Sequence, residues 1–297
     1  MANFLLYTTT VIVWGTSWIA VTFQLGEVPP GLSVAYRMFL SSAILYIYCR
    51  FSGRRIHFQL RDHAMIALHG ALLFSINFFL IYQGTQYLAS GLVSVIFSTV
   101  VFWNILGTAI VFRVPISARV IIGAGFGITG IIAVFWPELK AFDLSSDATT
   151  GLLLALSGTV CASSGMLASA KFQKRGLPLI ETTALAMFYG ACVMVALALL
   201  GGQPFVFEYS FAYVGSLLFL TVFASVVGFM CYLTLLGRIG ADRAGYATVM
   251  FPVIALTLST LYEGFEWTPL SLSGVALVLI GNVFVLLKPK VTSSKEV

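Results

Sequence analysis

The side chains able to do chemistry in this 297-residue chain are few, and their spacing argues for binding rather than catalysis. His57, His63 and His69 recur every six residues, a spacing that sets no two on one helix face. Cys49, Cys161, Cys192 and Cys231 each lie in or at the end of an apolar run without ligand-like spacing, so they read as packing residues. No disulfide, metal or cofactor is expected. Gly125, Gly127 and Gly130 match GxGxxG, but inside an apolar run with no preceding strand, which removes the dinucleotide reading. A membrane enzyme would need a clustered nucleophile, metal ligands or paired acids within its spans, and the sequence offers none.

What remains is a set of rings and neutral polar groups set within apolar runs. It comprises Trp14 and Trp18, four apart on one helix face; Asn77 and Tyr82; Ser98, Thr99, Trp103 and Asn104; Ser163 and Ser164; Ser225 and Tyr232, seven apart; and Tyr246. Tryptophan normally gathers at membrane interfaces, yet Trp14 and Trp103 fall near the middle of their runs. Rings give apolar walls and hydroxyl or amide groups fix orientation, which suits a cavity for an amphipathic small molecule. For any one residue the competing reading, hydroxyls satisfying backbone carbonyls and rings filling helix contacts, is the stronger. The set as a whole favours a cavity.

Arg37 is the one formal charge well inside an apolar run, about 9 Å along the helix from Gly31 at 1.5 Å per residue. An intramembrane cation is a functional hypothesis by default, and a tie between helix ends through backbone carbonyls is its equal rival. No carboxylate lies in the middle of a run, and His69 alone approaches the position of a proton relay. Facilitated diffusion or exchange is therefore expected rather than strict proton antiport.

The elements that must hold these groups are apolar helices. Hydrophobic residues make up 59% of the chain and charged ones 9%, against about 25% charged in soluble domains. With a mean hydropathy of +0.99, there is too little polar surface for a soluble globule. Ten runs approach the length of about 20 residues that crosses a bilayer: 3–23, 31–48, 64–82, 91–112, 117–136, 151–170, 180–200, 211–233, 244–262 and 270–287. No signal-peptide charge or cleavage pattern marks the first, which is expected to remain in the mature protein. Fourteen basic residues, among them Arg50, Arg54, Arg55, Arg61, Arg113, Arg119, Lys171, Lys174, Arg175 and Arg238, fall on one side of this alternation, against Lys140 on the other. By the positive-inside rule both termini are cytoplasmic. The net charge of +5 is thereby explained by topology, and no nucleic-acid partner is expected.

Gly123 and Gly130 recur as Gly274 and Gly281, each 151 residues on. The chain divides into a first five-helix repeat over 1–137, a linker over 138–150, a second repeat over 151–288 and a tail over 289–297. Five is odd, so the second repeat enters from the opposite side. Inverted repeats with a midplane site between them are a recurrent plan of secondary transporters, and a static channel is the alternative. Pro252 lies halfway along the ninth run and predicts a kink, where the first repeat has Val101 at the same offset.

Trp14-Gly15-Thr16-Ser17-Trp18, Tyr36-Arg37, Phe251-Pro252 and the Gly274 to Gly281 closing helix resemble the EamA family of the drug/metabolite transporter superfamily. The resemblance covers nearly the whole chain. It implies an all-α integral membrane fold of ten helices in two inverted five-helix repeats, and export of metabolites or amino acids by alternating access. Within the family the overall character is most like bacterial exporters of aromatic amino acids; a multidrug or other metabolite exporter is the alternative, and a passive channel a further one. The expected partners are a small-molecule substrate and the lipid bilayer, the expected location the bacterial inner membrane, and the expected state a monomer. An arginine at the place of Arg37 is common in the family whatever the substrate, which strengthens its structural reading.

Overall fold

The computed structural model describes residues 2–113, 115–136, 147–239 and 246–286, and among them there is no strand. Seven helices are long and apolar enough to cross a membrane: α1 (Ala2–Thr22), α2 (Pro30–Phe51), α3 (Leu60–Thr85), α4 (Ser90–Val111), α6 (Asp147–Lys174), α7 (Leu179–Leu200) and α8 (Phe211–Arg238). Three shorter apolar helices join them among the described residues: α5 (Ala118–Val134), α9 (Tyr246–Tyr262) and α10 (Pro269–Leu286).

Local chemistry sets the ends. The α2 helix begins on Pro30, whose missing N–H costs nothing in a first turn. Thr268 and Ser271 cap α10 reciprocally, each side-chain oxygen accepting from the other's backbone N–H, at 2.9 and 3.0 Å. Helices also run past the apolar runs where charges reach water or, as buried Asp62 does with Arg175, a partner. The third starts at Leu60, taking in Arg61 and Asp62, and the sixth spans Asp147–Lys174, so 147–150 of the expected linker are helical. Residues 137–146, the tail from 287 and the side chain of Tyr246 lie outside the described set.

Three helices of one half pack on their counterparts in the other, α5 on α10, α2 on α7 and α4 on α9, whereas α1 packs on α9 and α3 on α6. The α5–α10 contact is the most intimate. A Cβ on Gly130 would lie 2.5 Å from the Gly274 carbonyl oxygen, and one on Gly281 would lie 2.6 Å from that of Gly123. As the number rises along α5 it falls along α10, so the two run antiparallel with their backbones touching. The same inverse order holds for α2 and α7, where Gly31 lies near Met194 and Ser42 donates to the Ala184 carbonyl, and for α4 and α9, where Ser90 meets Glu263 and Val101 packs with Val249.

Even single polar contacts recur at the offset of 151. Gln24 Nε2, just past α1, donates to the Tyr213 carbonyl at 2.8 Å and to Ser216 Oγ at 2.6 Å. Arg175, just past α6, donates to Asp62 Oδ1 at 2.9 Å and reaches Met65 Sδ at 3.8 Å. A neutral amide at one end of the molecule thus does what an ion pair does at the other.

Irregular backbone also falls at matched places. Leu72–Ile76 in α3 and Leu220–Gly228 in α8 are π-helical, a departure that often accompanies functional sites. The fourth and ninth helices are interrupted alike as well. Pro252 sits inside α9, and in α4 the ladder tightens at Thr99, whose N–H bonds to Ile96 at 3.1 Å while its carbonyl accepts from Phe102 at 2.9 Å. The first repeat therefore bends without a proline, two residues before Val101.

Candidate functional site

A cavity of about 60 Å³ lies where α1, α2, α3, α4, α6, α8 and α9 converge. It is a contracted space with room for a few waters. Its walls are rings: Trp14, Trp18, Phe78, Phe97, Phe229 and Phe251. Trp18 stacks on Phe251 with centroids 5.8 Å apart and tilts against Phe97 at 5.4 Å; Trp14 meets Phe229 edge-on at 5.1 Å.

Both π-helical segments serve this wall. In α3 the Asn77 N–H bonds back to Leu72 rather than Leu73, and the Leu73 carbonyl takes the Asn77 side-chain amide at 3.1 Å instead. That bond fixes the amide so that Oδ1 is buried without a partner beside the cavity. In α8 the Ala224 carbonyl accepts Trp14 Nε1 at 3.2 Å. Gly228 makes room for that indole, since a Cβ there would lie 2.5 Å from Nε1.

Arg37 enters the same cavity from α2 and is 3% exposed. Its Nε donates to Ser225 Oγ at 2.8 Å, Nη1 lies 3.5 Å from the Tyr82 hydroxyl, and the guanidinium sits 4.3 Å from the Phe78 ring centre. Among the described residues the ion pairs are Arg54 with Glu181 and Arg175 with Asp62; Arg37 has no carboxylate. Its backbone-tie reading finds no support, because the polar partners are side chains. The Trp18 indole N–H, like Asn77 Oδ1, is buried without a partner. One cation, one vacant donor and one vacant acceptor therefore share an aromatic enclosure, an arrangement able to hold a small molecule carrying both a carboxylate and an ammonium group.

The structure gathers Trp14, Trp18, Arg37 and Asn77 at the cavity, with Tyr82 and Ser225 behind Arg37 and Tyr232 against the Trp14 ring at 4.9 Å. It places the other described candidates elsewhere, the side chain of Tyr246 lying outside the described set. Ser98 accepts from Asn282 of α10 at 2.9 Å, and Thr99 and Trp103 line a separate apolar groove of about 620 Å³ between α4, α5 and α6. Asn104 and Ser163 bond each other at 2.8 Å across α4 and α6, and Ser164 donates to its own helix at Val160. Phe78, Phe97, Met166 and Phe229 line the cavity without having stood out in the sequence, and Ser17 and Phe251 had done so only within the motifs of the family resemblance. His69 is not a relay in this arrangement: Nδ1 is 2.9 Å from the Gly165 carbonyl oxygen and the ring packs between Phe74 and Phe172.

A duplicated apolar helical fold around a ring-lined cavity that holds one buried cation fits a membrane transporter, and comparison with known proteins agrees. The EamA-like transporter family matches the chain twice, over residues 2–136 and 149–287, one match to each half. The chain belongs to that family. Its relatives include protein PagO of Salmonella typhimurium, 22% identical over 93% of this chain and 90% of its own length. A probable amino-acid metabolite efflux pump of the same organism is 22% identical, with 92% of each chain covered. A solved crystal structure shares the fold at a TM-score of 0.70 and 15% identity, covering 95% of this chain and 96% of that one.

Proposed function

We propose that this transporter exports amino acids, those with aromatic side chains foremost, across the bacterial inner membrane by alternating access. The observation that carries the reading is the cavity's complement of groups: the Arg37 guanidinium without a carboxylate, the vacant Trp18 N–H and the vacant Asn77 carbonyl, enclosed by rings. A substrate carboxylate fits Arg37 and Trp18, an ammonium fits Asn77 Oδ1, and an aromatic side chain fits the walls. The name carried by one relative, an amino-acid metabolite efflux pump, lends support. A cationic drug fits poorly, because Arg37 would repel it.

On this reading all ten helices cross the bilayer, with the repeats over 1–137 and 151–288 inserted oppositely and both termini cytoplasmic. The antiparallel pairing of α5 with α10, α2 with α7 and α4 with α9 supports that inversion. The contracted cavity is a stage between loading and release, and it must widen as the halves rock for an amino acid to enter. No carboxylate lines it, which favours exchange or downhill release over proton coupling. The chain acts as a monomer.

Counterflow in proteoliposomes tests this. Vesicles preloaded with tryptophan or phenylalanine should accumulate the labelled amino acid transiently, with saturable flux and no response to an imposed pH gradient. Flux that rises linearly with concentration would indicate a pore, and counterflow with cationic drugs alone would overturn the substrate class.

A further inference from the structure

We infer that the cytoplasmic end of α2 is a binding site for the phosphate headgroup of an anionic phospholipid. The α2 helix ends on Ser52, and Gly53 takes φ +66, a left-handed conformation in which glycine is unstrained. Arg54 N–H then closes back on the Cys49 carbonyl at 2.9 Å, the six-to-one bond of a Schellman turn. This turn reverses the chain, so Arg54 and Arg55 come back beside Arg50 of the last helical turn. Together with Tyr46, Cys49 and Ile56 they line a pocket of about 220 Å³.

Positive-inside topology asks only that arginines lie on this side; it does not ask that three share one pocket. The Arg54 guanidinium is held by Glu181 at 3.2 Å, whereas no ion pair among the described residues involves Arg50 or Arg55. Two guanidinium groups therefore stand over the pocket with charge to spare, at a helix C-terminus whose dipole also favours cations there. The last turns of α2 carry exposed apolar side chains as well: Tyr46, in the pocket wall, Ile47 and Tyr48 are half exposed or more, and Phe51 is 88% exposed. Such rings belong at the headgroup level of a bilayer. Guanidinium forks above and rings alongside match a phosphate with acyl chains attached better than a free anion, which would have no use for the apolar rim.

Native mass spectrometry of the full chain in neutral detergent, titrated with phosphatidylglycerol or with phosphatidylcholine of the same acyl length, tests the site. Wild-type protein should retain phosphatidylglycerol in preference. The R50Q/R55Q variant, which leaves the Arg54 and Glu181 pair in place, should bind it about 25-fold more weakly, from about fivefold per guanidinium. An Arg61→Gln control, outside the pocket, should change binding less than about twofold. Should the double variant fail to fold, Arg55→Gln alone should show its fivefold loss, and raised salt should weaken wild-type binding. Equal retention of the two lipids, equal binding by wild type and variant, or full displacement by inorganic phosphate at the lipid's own concentration would each overturn the assignment.

Discussion

Replacing Arg37 by Met separates its two readings by driving two measurements in different directions. If Arg37 is a structural tie, the loss comprises a charged hydrogen bond to Ser225 at 2.8 Å and a cation–π contact with Phe78 at 4.3 Å. Together these are worth about 2–5 kcal/mol. Against that loss, in either reading, the empty protein carries a buried cation without a counter-charge. Removing it relieves a desolvation cost of several kcal/mol, which offsets those losses. The thermal unfolding midpoint in detergent should then stay within a few degrees of wild type. Substrate binding should lose one charge-assisted bond, about 1.5–3 kcal/mol, or about 10- to 150-fold in the half-saturation concentration for counterflow. Arg37→Lys keeps the charge but not the fork, and should fall between. A midpoint that drops steeply while half-saturation stays put would refute the substrate role and leave Arg37 as a structural link to Ser225 and Phe78.

Trp103→Ala should leave half-saturation within about twofold of wild type, because Trp103 lines the outer groove rather than the central cavity; a tenfold rise in a counterflow assay would place it in the substrate path. Gly130→Ala forces a Cβ to 2.5 Å from the Gly274 carbonyl and should cost about 1–3 kcal/mol, read as a lowered unfolding midpoint. An unchanged midpoint would mean that α5 and α10 do not pack as described. Glu263 accepts from the Ser90 N–H at 3.1 Å and from the hydroxyls of Ser90 and Ser259, holding an anion at the N-terminus of α4. Glu263→Gln should speed amide exchange at residues 90–93 about fivefold, for a loss of about 1 kcal/mol at that helix end.

The helices were legible because a backbone in hydrocarbon must satisfy its own hydrogen bonds, so each long apolar run could hardly be anything but a helix. Their ends were less so, since the charges that close an apolar run, such as Arg61 and Asp62, are themselves accommodated in the helix. The repeat was written in Gly123, Gly130, Gly274 and Gly281, which need to be small because they touch one another. The site was legible only in part. Trp14, Trp18, Arg37 and Asn77 share the cavity, but nothing in the spacing of Trp103 or Ser98 says which way a kinked helix turns them; the tightening at Thr99 redirects that face toward α5 and α10. Neither π-helical segment carries a glycine or proline signature at its start, and Phe97 and Phe229 were indistinguishable from core rings.

The contacts between the halves are reciprocal: Gly123 meets Gly281 and Gly130 meets Gly274, each pair the image of the other under the 151-residue shift. A solitary five-helix polypeptide, inserted in both orientations, would make these same contacts with its own copy. Joining two such halves in one chain frees the matched contacts from having to be identical. Gln24 opposite Tyr213 and Ser216, where the other face has Arg175 opposite Asp62 and Met65, marks a place where that freedom was taken. Of these two matched contacts one is a neutral amide and the other an ion pair, so ionic strength acts on the Arg175 contact and not on its Gln24 counterpart.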